Sequence, residues 1–180
     1  MKIDIHAHVI DRKYVDDLVA DAGLYATHTA SGQTLLRKDG HTFAWYREAM
    51  FDLDSRLRDM DRQGVDMRIL SLSTPNVYEW HGARQVEAAR HINDATAAMV
   101  RKHPDRFAAL CSLPMENVEA SLVELERITG ELGMKGVAIG SNVGGRAMNH
   151  PDFEPIWARI NELRLPVFEH PMFPTHTADM

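Results

Sequence analysis

The sequence contains little cysteine, no long apolar run and no excess of positive charge. One cysteine in 180 residues rules out an intrachain disulfide. Acidic residues outnumber Lys and Arg by 26 to 20, and the net charge of -6 argues against nucleic-acid binding. No stretch approaches the ~18 apolar residues of a membrane span, and the apolar start lacks the basic flank and cleavage site of a signal peptide. We therefore expect a cytoplasmic protein with a small-molecule substrate and neither a nucleic-acid nor a membrane partner.

The rest of the composition is that of an ordinary globular domain. Hydrophobic residues make up 44% and charged residues 26% of the chain, which argues against disordered and fibrous proteins. The one cysteine, Cys111, lies in the apolar run FAALCSL, and we predict that its thiol is buried and inert.

Short apolar runs rich in Ile, Val and Leu alternate with longer amphipathic segments. The runs predict five buried strands, at residues 2–8, 67–73, 106–113, 135–141 and 165–171. Four of the intervening segments have helical periodicity, and Gly64 and Pro104 are typical stop signals for two of them. A strand followed by four helix–strand units predicts an α/β fold with a parallel sheet and right-handed crossovers.

Residues 11–50 interrupt this alternation. Two short runs in TLLRKDGHTFAW are separated by Asp39 and Gly40, a pair typical of hairpin turns. We predict an insertion of loop and β-hairpin at the carboxyl end of the first strand, which in a barrel is the active-site face.

Five parallel strands fit either a doubly wound sheet or part of a barrel. A doubly wound sheet usually has a glycine-rich phosphate turn at its binding site, and none follows the first strand here. A (β/α)8 TIM barrel typically needs ~250 residues. We therefore expect residues 1–180 to form a single incomplete TIM barrel domain with about the first five β/α units, and a fragment or a truncated reading frame is the favoured interpretation.

Two histidines stand one residue apart in the opening segment MKIDIHAHVI. Side chains at positions i and i+2 of a strand share a face, so His6 and His8 point to the same side. His170 ends the fifth predicted strand, across a barrel mouth from the first. Neutral imidazole is the commonest metal ligand, and three such nitrogens leave an ion open to water or substrate. The three histidines therefore predict a metal site.

Several segments in order resemble one known family. They are DIHAH, FDLDSRLRDMDRQGVD, STPNVYEW, FAALCSLPM, ELGMKGVAIGSNV and VFEHP. Together they resemble the amidohydrolase-related family of metal-dependent hydrolases and decarboxylases that includes aminocarboxymuconate-semialdehyde decarboxylase. The resemblance implies a metal-dependent (β/α)8 barrel that acts mainly as a carboxy-lyase, with His6, His8 and His170 as metal ligands. It also implies a proton-handling histidine after a sixth strand and a metal-binding aspartate after an eighth, and neither segment is within these 180 residues.

Two departures from the family decarboxylase concern the substrate. Ala44 follows Phe43 where that enzyme has a carboxylate-binding arginine, and Met172 follows the last His-Pro pair where it has tryptophan. Arg47 could supply the missing charge, although a solvated arginine is the simpler interpretation. The complete set of predicted substrate-binding residues is Arg47, Trp80, Asn142, Arg146 and Met172.

The function predicted from the sequence is a metal-dependent decarboxylase of an unsaturated or aromatic carboxylic acid. Two alternatives stay open: a hydrolase of an amide, lactone or carbon–carbon bond, and a non-catalytic half-barrel module. One divalent ion is expected, with zinc as first choice on ligand type and manganese as the alternative. We expect little turnover from these residues alone, and a homodimer is the oligomer considered for the full-length form.

Overall fold

The computed structural model describes residues 1–38 and 40–172 as an α/β domain. Its elements follow in the order β1 (Ile3–Val9), α1 (Arg12–Asp21), β2 (Tyr25–His28), β3 (Thr34–Lys38), β4 (His41–Tyr46), α2 (Leu53–Gln63), β5 (Met67–Leu72), α3 (Gly82–Lys102), β6 (Phe107–Cys111), α4 (Val118–Gly130), β7 (Gly136–Gly140), β8 (Asn142–Val143), β9 (Arg146–Ala147), α5 (Glu154–Glu162) and β10 (Val167–His170). Short 3-10 turns at Glu48–Met50 and Pro151–Phe153 precede α2 and α5.

The main sheet has five parallel strands in the order β1-β5-β6-β7-β10. Each strand of the main sheet pairs with the strand of this sheet that follows it in the sequence, and at least one helix lies between the two in the chain, as in the first part of a (β/α)8 barrel. This confirms the predicted fold class and all five predicted strands. The carboxyl ends of the strands lie at one edge of the sheet, where β1 and β10 bring their histidines.

The helix boundaries follow from local signals in the sequence. Asp52 precedes α2 and accepts hydrogen bonds from the backbone N–H groups of Asp54 and Ser55, which would otherwise lack a partner in the first turn. Gly64 ends the same helix with φ of 62°, a conformation that favours glycine. The stop predicted at Gly64 is therefore confirmed. Asn117 caps α4 in the same way, by accepting from the N–H of Ala120.

The core lies between the main sheet and its flanking helices. The side chains of Ile92 on α3, Leu125 on α4 and Ile156 on α5 are almost fully buried against strands that contribute Phe107 and Val137. Burying a large aliphatic side chain contributes ~1.5–3 kcal/mol. The predicted burial of Cys111 is confirmed, since its side chain is in this core with no exposed surface.

A buried polar network joins α3 to α4. The Glu124 carboxylate, 2% exposed, accepts two hydrogen bonds from the Arg127 guanidinium, at 2.7 and 2.9 Å, and one from Asn93 Nδ2 at 2.7 Å. Asn93 also exchanges two hydrogen bonds of 2.9 Å with the backbone of Ser112, directly after β6. The network therefore fixes the carboxyl end of β6 to the helix that precedes it.

The insertion contains more regular structure than the sequence predicts. The hairpin is confirmed, because β3 and β4 pair antiparallel from Thr34–Tyr46 to Lys38–His41; of the predicted turn, Asp39 lies outside the described residues. The prediction of loop for the rest of 11–50 is wrong, because helix α1 and a third strand, β2, are also present. Helix α1 has a local signal that sequence reasoning missed, because Asp11 caps its first turn and Tyr14, Val15 and Leu18 are its buried residues. Strand β2 has four residues and gains its pairing from β3, a contact that no local pattern reports.

No helix in the described ranges has the length and apolar character needed to cross a membrane.

Candidate metal centre

Three imidazole rings converge at the carboxyl end of the main sheet. The Nε2 atoms of His6 and His8 are 2.9 Å apart, and those of His8 and His170 are 3.1 Å apart. The potential ligand nitrogens of the three rings lie within 4.8 Å of one another, and the described residues contain no other group of three or more metal-ligating side chains this close. The structure therefore brings together the three histidines that the sequence predicts as ligands.

A β-bulge in β1 helps to place the first two rings. The pairing of β1 with β5 steps from Asp4–Arg68 to Ala7–Leu70, so three residues of β1 advance against two of β5. Bulges of this kind re-aim side chains and are frequent beside functional sites. The N–H of His6, within the bulge, donates a 3.1 Å hydrogen bond to Asp4 Oδ1.

A buried arginine holds the backbone at His8. Nη2 of Arg56, on α2, donates a short hydrogen bond to the carbonyl oxygen of His8. The Arg56 side chain is 4% exposed, and burial lowers its pKa from the ordinary value to about 10, so the guanidinium is still charged at neutral pH. The first strand is thereby fixed to α2 at the residue that carries the central ring.

The His8 ring is neutral over the physiological pH range. Burial, then repulsion from the neighbouring His170 and His6 rings, lowers the pKa of His8 from 6.5 to about 4. A neutral imidazole offers a nitrogen lone pair, which is the form that binds metal ions.

The spacing of the nitrogens fits a single bound ion. Imidazole nitrogens at about 2.1 Å from one ion lie about 3.0 Å apart when they meet it at right angles and about 3.4 Å apart in a tetrahedron. The separations of 2.9 and 3.1 Å that involve His8 are close to the range that ligands of one ion require. His6, His8 and His170 therefore fit a divalent metal ion, and they leave its remaining positions to water, substrate or other ligands.

A groove of about 680 Å³ opens beside the three rings. Of the predicted substrate-binding residues, Arg47 and Met172 line it. Sequence reasoning missed Trp45, which also lines the groove and lies with its ring centroid 5.2 Å from the Arg47 guanidinium carbon. The sequence contains a usable signal for Trp45. Side chains two residues apart in an extended segment point to the same side, so Trp45 shares a face with Arg47, directly after β4.

The other three predicted substrate-binding residues are not part of this groove. Trp80 is 4% exposed and packs edge-on against Tyr14, with ring centroids 5.7 Å apart. Arg146 donates a 2.9 Å hydrogen bond to Asp152 and lies over the Phe153 ring. Asn142 belongs to the small β8–β9 hairpin.

The hairpin explains why Arg146 does not follow the prediction. Gly144 and Gly145 both adopt positive φ, 56° and 75°, and form its turn. The turn therefore directs Arg146 toward the start of α5, whereas the prediction assumed a flexible approach to the groove.

The sequence and the fold both match known proteins. A family model described as amidohydrolase matches residues 3–180. The 2-amino-3-carboxymuconate-6-semialdehyde decarboxylase of Dictyostelium discoideum is 32% identical over 176 residues, which are 95% of this chain and 49% of that protein. The chain thus spans about half the length of this curated relative.

Two solved structures of decarboxylases have the same fold. The 5-carboxyvanillate decarboxylase of Sphingomonas paucimobilis superposes with a TM-score of 0.77 at 28% identity, over 94% of this chain and 51% of that one. A dihydroxybenzoic acid decarboxylase from Polaromonas, with bound manganese and the inhibitor 2-nitroresorcinol, gives a TM-score of 0.72 at 30% identity, over 96% of this chain and 50% of that one.

Proposed function

Because this chain belongs to the amidohydrolase family, we propose that it forms the metal-binding side of a decarboxylase that acts on an aromatic or unsaturated carboxylic acid. The observation that carries the proposal is the convergence of three imidazole nitrogens beside a groove that contains an arginine. Its relatives named above are decarboxylases of acids of this kind. The homodimer and the cytoplasmic location stay predictions.

His6, His8 and His170 would hold one divalent ion. When bound, such an ion supplies a positive charge that polarises a substrate oxygen or lowers the pKa of a bound water. We infer manganese as the first ion to test, because the Polaromonas relative contains it. Zinc, the first choice from ligand type, is not supported by these observations.

Arg47 and Trp45 would bind the substrate. The guanidinium of Arg47 can donate hydrogen bonds to a second polar group of the substrate, such as a ring hydroxyl or a further carboxylate, and the flat indole of Trp45 can pack against an aromatic ring. Loss of carbon dioxide breaks the bond between the ring carbon and the carboxyl carbon. The electron pair stays on the ring carbon, which then takes up a proton. A substrate held by a second polar group at Arg47 would keep the scissile bond directed at the histidine cluster.

Metal binding and ligand binding test the proposal separately. Titration of the metal-free protein with Mn²⁺, followed by calorimetry, should give one site per chain, and His170→Ala should lose it. A dihydroxybenzoate should then bind the Mn²⁺-loaded protein, and Arg47→Met should weaken that binding by about 10-fold without a change in Mn²⁺ affinity. Arg62→Met, an exposed position on α2, is the matched control.

The reaction class is tested by products. Carbon dioxide released from an aromatic acid by the whole protein, in proportion to bound metal, would support the decarboxylase. Hydrolysis products without gas would contradict it and support the hydrolase alternative. A wild-type protein that binds no divalent ion would contradict the proposal as a whole.

A further inference from the structure

Both His8 and His170 contact a hydroxyl group through the ring nitrogen that faces away from the cluster. Ser71 Oγ lies 3.4 Å from His8 Nδ1, and Thr74 Oγ1 lies 3.3 Å from His170 Nδ1. Ser71 is on β5 and Thr74 is two residues beyond its end, so one short segment contacts rings from both β1 and β10. Ligating histidines usually donate the other ring N–H to a partner that fixes the tautomer and the ring orientation.

The tautomer of His170 follows from its surroundings. Its Nδ1 lies 2.9 Å from the backbone carbonyl oxygen of Pro171, which can only accept a hydrogen bond. Nδ1 therefore carries the proton, and Nε2 keeps its lone pair directed at His8. The Thr74 hydroxyl, on the same nitrogen, provides a second oxygen that can accept from this N–H.

We propose that residues 71–74 form a positioning segment for the metal centre, in which Ser71 orients His8, Thr74 orients His170, and Tyr46 of the insertion holds Thr74 in place. The inference rests on the proposed function, because it assigns the segment a role toward the same three ligands. It adds residues that act on the metal through the ligand rings; Thr74 also lines the groove, so the test measures Mn²⁺ affinity without substrate.

Two buried tyrosines fix the loop that contains Thr74. The Tyr46 hydroxyl donates a 2.8 Å hydrogen bond to the carbonyl oxygen of Thr74, and the Tyr14 hydroxyl donates a 2.6 Å hydrogen bond to that of Asn76. Both side chains are almost completely buried, at 0% and 2% exposed. Burial raises the pKa of both hydroxyls above the ordinary value, so they remain protonated donors throughout the working pH range. Two side chains of the insertion therefore fix the backbone of the loop at Thr74 and Asn76.

Strand β4 connects the loop that contains Thr74 to the groove. Tyr46 is on β4, between Trp45 and Arg47, both of which line the groove. The groove side of β4 is therefore connected to the His170 ring through backbone and two contacts, from the Tyr46 hydroxyl to the Thr74 carbonyl oxygen and from Thr74 Oγ1 to His170 Nδ1.

A purely structural role for these contacts makes a different prediction. If the hydroxyls only stabilise the loop, their removal lowers the melting temperature but leaves the metal affinity of the folded protein unchanged. If they orient the rings, metal affinity falls in the folded protein, by the 10–100-fold typical of lost partners of ligating histidines. The two roles are therefore separable by measurement.

The test compares Mn²⁺ dissociation constants of variants of the 180-residue chain, measured below each variant's melting temperature. We expect Thr74→Val to weaken Mn²⁺ binding by about 10-fold, and Thr74→Ser, which keeps the hydroxyl, to restore it to within about 2-fold. Ser71→Ala and Tyr46→Phe should each weaken binding by roughly 3- to 10-fold. Thr129→Val is the matched control, because the Thr129 hydroxyl bonds only to backbone carbonyls of α4 in the described part of the chain.

Nitrogen NMR of the histidine rings in the metal-free protein gives a second readout. Wild type should show His170 with the proton on Nδ1, and Thr74→Val should shift that resonance while Thr129→Val does not. Wild-type Mn²⁺ affinity together with an unchanged His170 resonance in Thr74→Val would overturn the inference. If wild type binds no metal, the proposed function fails as well, and the resonance still shows whether Thr74 contacts the ring.

Discussion

The Nε2 atoms of His8 and His170 lie 3.1 Å apart although 162 residues separate them in the chain. His8 is on β1 and His170 on β10, the two outermost strands of the main sheet. Three strands lie between them, so the contact exists only because the sheet curls. The ligand cluster is therefore a product of the whole sheet, and a local motif supplies only two of its three members.

Removal of the central ring should abolish most metal binding. His8 Nε2 is the atom within 3.1 Å of both other Nε2 atoms, so His8→Ala leaves two nitrogens with no ring between them. We expect the Mn²⁺ content per chain, measured by elemental analysis after dialysis, to fall by at least about 10-fold. His103→Ala, at the end of α3, should keep wild-type content. Equal metal content in both variants would remove His8 from the site.

The single thiol should be unreactive in the folded protein. Cys111 has no exposed surface, and burial raises its pKa well above the ordinary value, so both access and thiolate are lacking. A thiol reagent at pH 8 should label no cysteine under native conditions and one per chain in denaturant. Fast labelling of the native protein would show that β6 opens readily.

Loss of the buried carboxylate between α3 and α4 should be costly. Glu124→Ala leaves the Arg127 guanidinium and the Asn93 amide without their buried acceptor, and we expect a loss of about 2–4 kcal/mol in the free energy of unfolding. Glu126→Ala, on the same helix, breaks only an exposed pair with Arg159 and should cost much less. Urea unfolding measures both. Similar losses in the free energy of unfolding for the two variants would contradict a stabilising role of the buried network around Glu124.

Two glycines should respond in opposite ways to alanine. Gly64 ends α2 with φ of 62°, so Gly64→Ala should destabilise the protein by about 1 kcal/mol. Gly130 lies in the last turn of α4 without a positive φ, and an added Cβ meets no atom within 4 Å. Gly130→Ala should therefore stabilise by about 0.5–1 kcal/mol. The midpoints of urea unfolding compare the two, and a stabilising Gly64→Ala would contradict the helix end described above.

The main sheet could be predicted because its determinants are local. Each strand is a compact apolar run, and glycine, proline or a capping side chain marks the ends of the long helices, so composition and spacing were sufficient. His6 and His8 were visible for the same reason, since their shared face follows from the two-residue repeat of a strand. His170 was added from its position at the end of the last predicted strand.

The parts that could not be predicted depend on contacts between distant segments. Strand β2 has only four residues and exists through its pairing with β3. Ser71 and Thr74 have no distinguishing pattern in the sequence, because their significance arises where β1 brings His8 beside Ser71 and β10 brings His170 beside Thr74. The pairing of Arg146 with Asp152 has no local signal either, because Gly144 and Gly145 are compatible with a flexible loop as well as with the tight turn that they form.

The distribution of the three ligands over the first and last strands of the sheet has a consequence for stability. An ion held by His8 and His170 would be a cross-link between residues 162 positions apart in the chain. In an unfolded chain the same closure would cost roughly 5 kcal/mol in conformational entropy by the relation used for disulfides. The folded sheet already holds the two rings together, so such an ion would bind it in preference to the unfolded chain and would stabilise it against unfolding. A bound ion would thus hold β1 and β10 together in the curved sheet, and its removal would release this cross-link.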